Sequence, residues 1–368
     1  MNRYILQVAL LIVGVMVMGD WAGVGVHAEE IAVSELDAIR EQERVVEERA
    51  GPAKQVTESV ARDFVVDREF DVIGALGSVT SVYEDTLVDI ARSHGVGYEE
   101  IRRANPGVDT WLPGEGTIVR LPTRFVLPRV QRDGLVINIA EYRIYYFSVA
   151  NGDTVVTTYP ISIGRMDWAT PLGRSSVVKK VKNPSWYPPQ SIRDEWAADG
   201  RELAERVFPG PDNPLGEYSM RLSIPGYLIH GTNRPAGVGM RVTHGCIRMF
   251  PEDIERLYPD VPVDTPVQIV NQPYKFGWDG DDLYLEVHPP LEMVSSDAAG
   301  IEASDTVDPW GLTSIIELYI RVTEERAADV DWRLFDETHA QQLGIPVKIG
   351  RARNAGGTEL SANLPDAE

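Results

Sequence analysis

Two imidazoles, a thiol and a guanidinium stand in two short stretches, residues 229–232 and 243–249. They are His230, His244, Cys246 and Arg248, in the stretches Ile229-His230-Gly231-Thr232 and Thr243-His244-Gly245-Cys246-Ile247-Arg248-Met249. Cys246 is the single cysteine of 368 residues, so no intramolecular disulfide is open to it. A thiol attacks a carbonyl as its thiolate, and a neighbouring imidazole is the usual means of generating one. Such a thiolate is expected to alkylate at mildly acidic pH. His230 lies sixteen residues upstream, at the end of the strand-like Tyr227-Leu228-Ile229-His230. Two strand ends meeting across a sheet can set imidazole against sulfur, and the Gly231 carbonyl that follows can orient the ring. Gly245 lacks a Cβ, which permits a tight turn between His244 and Cys246 and a close approach of backbone to substrate. The amides of Gly245 and Cys246 can then meet a developing oxyanion. Arg248 offers a planar fork suited to a carboxylate.

Each residue alone also has a plain reading. A single cysteine often packs as a small hydrophobe, a single histidine often serves as a structural hydrogen-bonder, and Arg248 can pair with Glu252 or Asp253 on a following helix. Packing does not account for the combination. The competing chemistry is a zinc site from His230, His244 and Cys246, which lacks a fourth ligand and any Cys-x-x-Cys or His-x-x-x-His pair. His94, His288 and His339 show no partner pattern.

The elements that must position these groups are mostly strands. Residues 135–270 hold the runs Val136–Ile139, Arg143–Phe147, Val155–Ile163, Ser176–Lys182 and Val267–Val270, punctuated by Pro and Gly. Many short strands with few helices indicate a β-sandwich or barrel-like catalytic domain, placed at 134–273. Upstream, residues 71–123 read as strand, helix, helix, strand. Ser78–Tyr83 alternates, Thr86 or Asp85 can cap a helix burying Leu87, Ile90 and Ala91, Tyr98–Ala104 gives a second helix stopped at Asn105-Pro106, and Thr117–Leu121 closes the unit. Residues 29–70 are a charged spacer. Residues 274–368 form a partly helical C-terminal extension, with a strand at Leu283–Val287, a helix at Thr313–Arg326 and a disordered end.

Residues 1–28 read as a secretory signal: Arg3, an apolar run from Tyr4 to Met18, and Val26-His27-Ala28 before the cut. The apolar run is too short for a stable membrane span. Export into an oxidising space with one unpaired thiol implies a use for that thiol. The formal charge of −21 excludes a nucleic-acid-binding class, which needs a basic footprint.

The sequence resembles the L,D-transpeptidases with a YkuD-type catalytic domain, in the periplasmic subgroup that carries an N-terminal LysM module. The resemblance covers residues 71–290. It rests on 226–235, 239–249 and 251–254, with Trp168-Ala169-Thr170-Pro171-Leu172-Gly173, Asn183–Pro189 and Gly210–Gly216. The LysM likeness rests on Asp85-Thr86-Leu87, Ile101, Ala104-Asn105-Pro106-Gly107 and Leu112-Pro113-Gly114, with Tyr83-Glu84 where such modules often have a glycine. The resemblance implies that Cys246 attacks the bond between the third residue and D-alanine of a peptidoglycan tetrapeptide stem. His230 serves as base and then acid, Gly231 orients it, and the backbone of His244, Gly245 and Cys246 forms the oxyanion hole. Arg248 would hold a substrate carboxylate, with Tyr227, Thr232, Arg234 and Trp186 lining the substrate site. The thioester would pass to an amine, either another stem in a 3–3 crosslink or the C-terminal lysine of an outer-membrane lipoprotein. No metal or organic cofactor is implied, carbapenems are expected acylating inhibitors, and the LysM module would bind wall glycan. An L,D-carboxypeptidase and a non-catalytic wall-binding scaffold are the alternative readings.

Overall fold

The computed structural model describes residues 41–49 in part, residues 59–291 apart from 61, 67–69 and 166–168, and residues 312–353. The expected signal peptide, most of the charged spacer, Trp168 and the expected disordered end lie outside the described residues. Of the spacer, residues 44–49 are helical where described, and its last part enters the fold as strand β1 (Asp63–Val65).

Next come β2 (Val72–Gly74), β3 (Gly77–Thr80), α1 (Leu87–Ser93), α2 (Tyr98–Ala104), β4 (Ile118–Leu121) and β5 (Arg124–Val126). Strands β3 and β4 pair antiparallel and close a βααβ unit. Thr86 caps α1, its hydroxyl accepting from the Asp89 amide at 3.0 Å. Leu87, Ile90, Ala91, Val96, Ile101, Val119 and Leu121 form its core. The apolar spacing of α1 thus does what it predicts. The helices are only two turns each, so this shared core, more than helix propensity, holds them. Asn105 ends α2 and ties it to β4: its amide donates to the Ile101 and Arg120 carbonyls at 2.8 Å and its oxygen accepts from the Arg120 amide at 2.7 Å.

The larger β region follows with β6 (Gly134–Asn138), β7 (Arg143–Ala150), β8 (Asp153–Gly164), β9 (Gly173–Lys182), α3 (Gln190–Ala198), β10 (Tyr218–Leu222), β11 (Leu228–His230), β12 (Arg241–Thr243), β13 (Ile247–Met249), α4 (Pro251–Asp260) and β14 (Pro266–Val270). The sheet order β8-β13-β11-β10-β9-β14-β6-β7 closes on itself because β7 also pairs with β8. Strand β1 extends this sheet at β8, and β12 pairs with β8 as well. The closed mainly β architecture is the one the sequence indicates. Its interior is filled by Leu135, Ile137, Ile144, Tyr159, Ile161, Met220, Ile229, Ile247, Met249 and Ile269, and each such side chain contributes roughly 1.5–3 kcal/mol by leaving water.

The C-terminal extension has more structure than its sequence suggests. Strands β15 (Tyr274–Asp279), β16 (Asp282–Val287), β17 (Ala328–Val330) and β18 (Val347–Ala352) form a sheet ordered β15-β16-β18-β17, with helices α5 (Leu312–Thr323) and α6 (Trp332–Gln341). Phe276, Leu283, Leu285, Ile315, Phe335 and Ile349 give it a core of its own. His288 and His339, without partners in the sequence pattern, are both engaged: His339 packs on the Tyr274 ring at 5.7 Å, and His288 contacts Glu286 at 2.6 Å. Among the described residues no helix is long and apolar enough to cross a membrane.

The βααβ unit is docked on the barrel through polar contacts. The Tyr98 and Glu99 amides at the start of α2 donate to the carbonyls of Val238 and Gly239, at 3.0 and 3.3 Å. Gly239 has φ +93°, and a Cβ there would lie 2.2 Å from the Tyr98 nitrogen, so only glycine fits. Arg92 forms a two-pronged pair with Glu252 at 2.8 Å. Glu100 meets the buried Arg143 at 2.5 Å. Glu252 is therefore the partner of Arg92, while Asp253 accepts from Ser59 at 2.7 Å.

Candidate active site

Cys246 sits just ahead of β13, and His230 ends β11. These two strands run parallel, with Ile229 opposite Ile247 and His230 opposite Arg248. Alternation sends Ile229, Ile247 and Met249 into the core. It leaves His230, Cys246 and Arg248 together on the opposite face. The meeting of strand ends anticipated from sequence is thus a parallel pair, and the Arg248 charge reaches both the imidazole and the sulfur there.

His230 is buried, and its Nδ1 lies 2.6 Å from the Gly231 carbonyl oxygen. Nδ1–H therefore donates to that carbonyl, which leaves Nε2 with its lone pair. Burial, with the Arg248 charge beside it, outweighs the Gly231 bond and pushes His230 down to about 3. The ring is a neutral base at physiological pH. Cys246 is half-buried, and its Sγ–H points to the Gly226 carbonyl at 3.7 Å. Burial raises the thiol above its ordinary value, against the opposing pull of the Leu228 amide and Arg248. The resting pair is thus thiol and neutral imidazole, not the thiolate with low pKa that the sequence suggests. The physical reason is that this pocket desolvates both charged forms.

The turn before the sulfur is held by two threonines. Gly245 has φ +93°, a left-handed conformation that glycine alone adopts without strain. Thr170 Oγ1 donates to the Gly245 carbonyl at 3.0 Å and accepts from the Gly164 amide at 3.0 Å. Thr243 Oγ1 donates to the Cys246 carbonyl at 2.5 Å. Because the peptide is planar and trans, fixing the Gly245 carbonyl on Thr170 points the Cys246 N–H the opposite way.

The remaining sequence-named residues divide. Tyr227 is half-buried and feels the Cys246 charge; burial first, then that charge, raises its phenol, whose O–H reaches the Ala169 carbonyl at 3.4 Å. The guanidinium of Arg248 lies against Gly237, where a Cβ would come 3.5 Å from Nη1. Thr232 is buried, and its hydroxyl accepts from the Arg234 amide at 2.9 Å, a contact that braces the turn after β11. Arg234 is exposed. Trp186 is tied through its backbone to Val207 by two bonds of 2.9 Å. The His244 imidazole is turned to α3, with Nε2 2.8 Å from Glu195 Oε2 and 3.2 Å from Arg165 Nη2.

Glu195 and Arg165 escape the sequence reading because their partners lie 49 and 79 residues away. The local signal on α3 is only the four-residue spacing of Ile192 and Trp196 after Pro189. The His244 imidazole is turned to a carboxylate, away from the competing zinc set of His230, His244 and Cys246. Among the described residues the one group with ligand atoms gathered within 4.8 Å is Glu141, Glu286 and His288. There the Lys275 ammonium already lies 2.5 Å from Glu141 and 2.8 Å from Glu286.

The profile of the YkuD L,D-transpeptidase catalytic domain matches residues 132–269. "Probable L,D-transpeptidase ErfK/SrfK" of Salmonella typhimurium is 38% identical over 269 residues, covering 73% of this chain and 83% of that protein. This chain belongs to the L,D-transpeptidase family. "Probable L,D-transpeptidase YbiS" of Escherichia coli is 37% identical over 261 residues, 70% of this chain and 81% of its own length. "Probable L,D-transpeptidase YcfS" of the same species is 37% identical over 271 residues, with coverage of 72% and 81%. This transpeptidase therefore groups with the ErfK, YbiS and YcfS branch. The matched domain spans β6 through most of β14, the closed sheet that carries Cys246 and His230.

Proposed function

We propose that the protein is a cysteine-dependent peptidoglycan L,D-transpeptidase. The observation that carries this reading is the parallel register of β11 and β13, which sets His230, Cys246 and Arg248 on one face with the His230 tautomer fixed by Gly231. The Cys246 S–H proton passes to His230 Nε2 as sulfur adds to the carbonyl that precedes D-alanine in a tetrapeptide stem. The Cys246 and Gly245 amides stabilise the oxyanion. Oxyanion donors of this kind are worth about 10²–10³ in rate each. The imidazolium then protonates the departing amine of D-alanine, leaving a thioester and a neutral ring. An incoming amine gives its proton to His230 and attacks the thioester, which restores the thiol and completes the amide. Because thiol and imidazole are both neutral at rest, charge is created only as the bond forms, and the Arg248 guanidinium favours its negative part.

The acceptor is a second stem peptide or the terminal lysine of an outer-membrane lipoprotein. Residues 1–28 act as a cleaved export signal, which places the enzyme in the periplasm. The βααβ unit of residues 71–123 serves as a LysM module on wall glycan, residues 134–273 as the catalytic domain and residues 274–368 as an appended module. Carbapenems acylate the same sulfur. The experiment is product analysis after incubation with disaccharide-tetrapeptide, with and without each amine. A crosslinked product supports transpeptidation and names the acceptor. Tripeptide alone, whatever amine is offered, means an L,D-carboxypeptidase.

A further inference from the structure

Four contacts from two side chains converge on one carboxylate above the turn that precedes Cys246. Glu195, on α3, lies 2.8 Å from His244 Nε2 through Oε2. Its Oε1 lies 3.1 Å from both Nη1 and Nη2 of Arg165, and Oε2 lies 3.2 Å from Nη2. Arg165 is buried, and its own amide donates to the Thr243 carbonyl at 2.9 Å. The cluster therefore grips the chain on either side of residue 244: through the backbone at Thr243 and through the side chain at His244.

The donor at His244 can be assigned. An unprotonated Nε2 would set its lone pair against a carboxylate at 2.8 Å. Nε2 must carry the proton, and the bond to Glu195 is then the charge-assisted kind. Burial alone would raise Glu195, but the Arg165 and His244 hydrogen bonds overcome it and hold the carboxyl down at about 2, so the acceptor stays ionised.

The consequence lies in the peptide between His244 and Gly245. Thr170 and Thr243 fix the two peptides that follow it, through the Gly245 and Cys246 carbonyls. The peptide that bears the Gly245 N–H instead joins a glycine at φ +93° to His244. The His244 side chain, anchored on Glu195 of α3, is one tie between that peptide and the rest of the fold. We propose that Glu195 is a positioning residue for catalysis, holding His244 and thereby the Gly245 amide in line with the oxyanion formed at Cys246. The assignment deepens the transpeptidase reading and rests on it. It also gives segment 183–216, which connects β9 to β10, a part in the chemistry, since that segment carries Glu195 on α3.

The test compares Glu195→Gln and Glu195→Asp with wild type in the full chain. The readouts are the rate of thioester formation on disaccharide-tetrapeptide, kcat and KM separately, and the His244 imidazole resonances by ¹⁵N NMR. Glu195→Gln is expected to slow acylation by about 10-fold to 100-fold, the scale of small misplacements of a catalytic group. KM should stay within about twofold, as for a loss felt only in the transition state. The His244 Nε2 proton should lose its carboxylate-bonded shift. Glu195→Asp, which keeps the charge, should recover part of the rate. An unchanged acylation rate in Glu195→Gln overturns the assignment, as does a loss that merely follows a lowered Tm. A wild-type chain that forms no thioester while His244 still shows its Nε2 proton on Glu195 sinks the transpeptidase reading first, and this assignment with it.

Discussion

Removing the Glu100 carboxylate should cost more than any surface charge on this molecule. Arg143 on β7 is 1% exposed and Glu100 on α2 is 6% exposed at the side chain. The guanidinium is also held by the Gly95 carbonyl at 2.7 Å and Thr158 Oγ1 at 3.2 Å, with the Phe125 ring 4.0 Å below it. Those neighbours are neutral, so Glu100→Ala leaves a buried cation without the carboxylate it pairs with. Breaking such a pair costs about 3–5 kcal/mol. Glu100 Oε2 also accepts from the Gly97 amide at the start of α2, at 2.6 Å, and a lost cap adds about 1 kcal/mol. The expected destabilisation is about 4–6 kcal/mol, read from urea unfolding followed by tryptophan fluorescence. Glu337→Ala serves as the internal control. Its partner Arg333 lies at 2.8 Å, but the two side chains are 68% and 48% exposed. Exposed helical pairs of this kind are worth about 0.3–0.5 kcal/mol. The double variant Glu100→Ala/Arg143→Met should recover much of the loss, because it removes the orphaned charge beside Phe125. A Glu100→Ala effect below about 1 kcal/mol, or no recovery in the double variant, refutes the reasoning.

Two further outcomes follow from the titrating groups. Burial, only partly offset by the Ser59 hydrogen bond, raises Asp253 from 3.8 to about 7. A raised carboxyl makes the native state hold its proton longer, so stability falls as pH rises from about 4 to about 7 and stays lowered above that. Asp253→Asn should therefore match wild type near pH 4 and exceed it at pH 8 by up to about 4 kcal/mol, and a gap that does not change with pH contradicts this. Alkylation of Cys246 by iodoacetamide should climb steadily with pH through the value of 9.0 ordinary for such a thiol, because burial raises it; a reactive plateau below pH 7 would show a thiolate at rest.

The closed sheet and the βααβ unit were legible in the chain because their signals are local. Alternating Val, Ile and Tyr runs mark β6 through β8, and a capping Thr86 and the Asn105-Pro106 stop bracket two short helices. The cysteine site was legible because glycine and the chemical groups sit within a few residues of one another. What the sequence hid depends on distance. Glu195 meets His244 from 49 residues away, and the Lys275 ammonium answers Glu141 across 134. The Cys246 and His230 protonation states come from burial, which motif spacing does not report. The Thr232 hydroxyl accepts from the Arg234 amide, a turn contact that the motif does not report. A modular reading also invites excision of residues 71–122 as a separable wall-binding unit. Arg143 argues otherwise, since the excision removes the Glu100 carboxylate that pairs with it at the barrel face.

The central claim is that Cys246 carries the acyl group and His230 takes its proton. Intact-protein mass spectrometry after rapid mixing with disaccharide-tetrapeptide tests both together. The account predicts a transient adduct of wild type, shifted by the substrate mass less D-alanine and mapping to Cys246. It predicts none in Cys246→Ala and a rate lowered by about 10²–10⁴ in His230→Ala. An adduct that persists in Cys246→Ala, or full-rate acylation in His230→Ala, would contradict it.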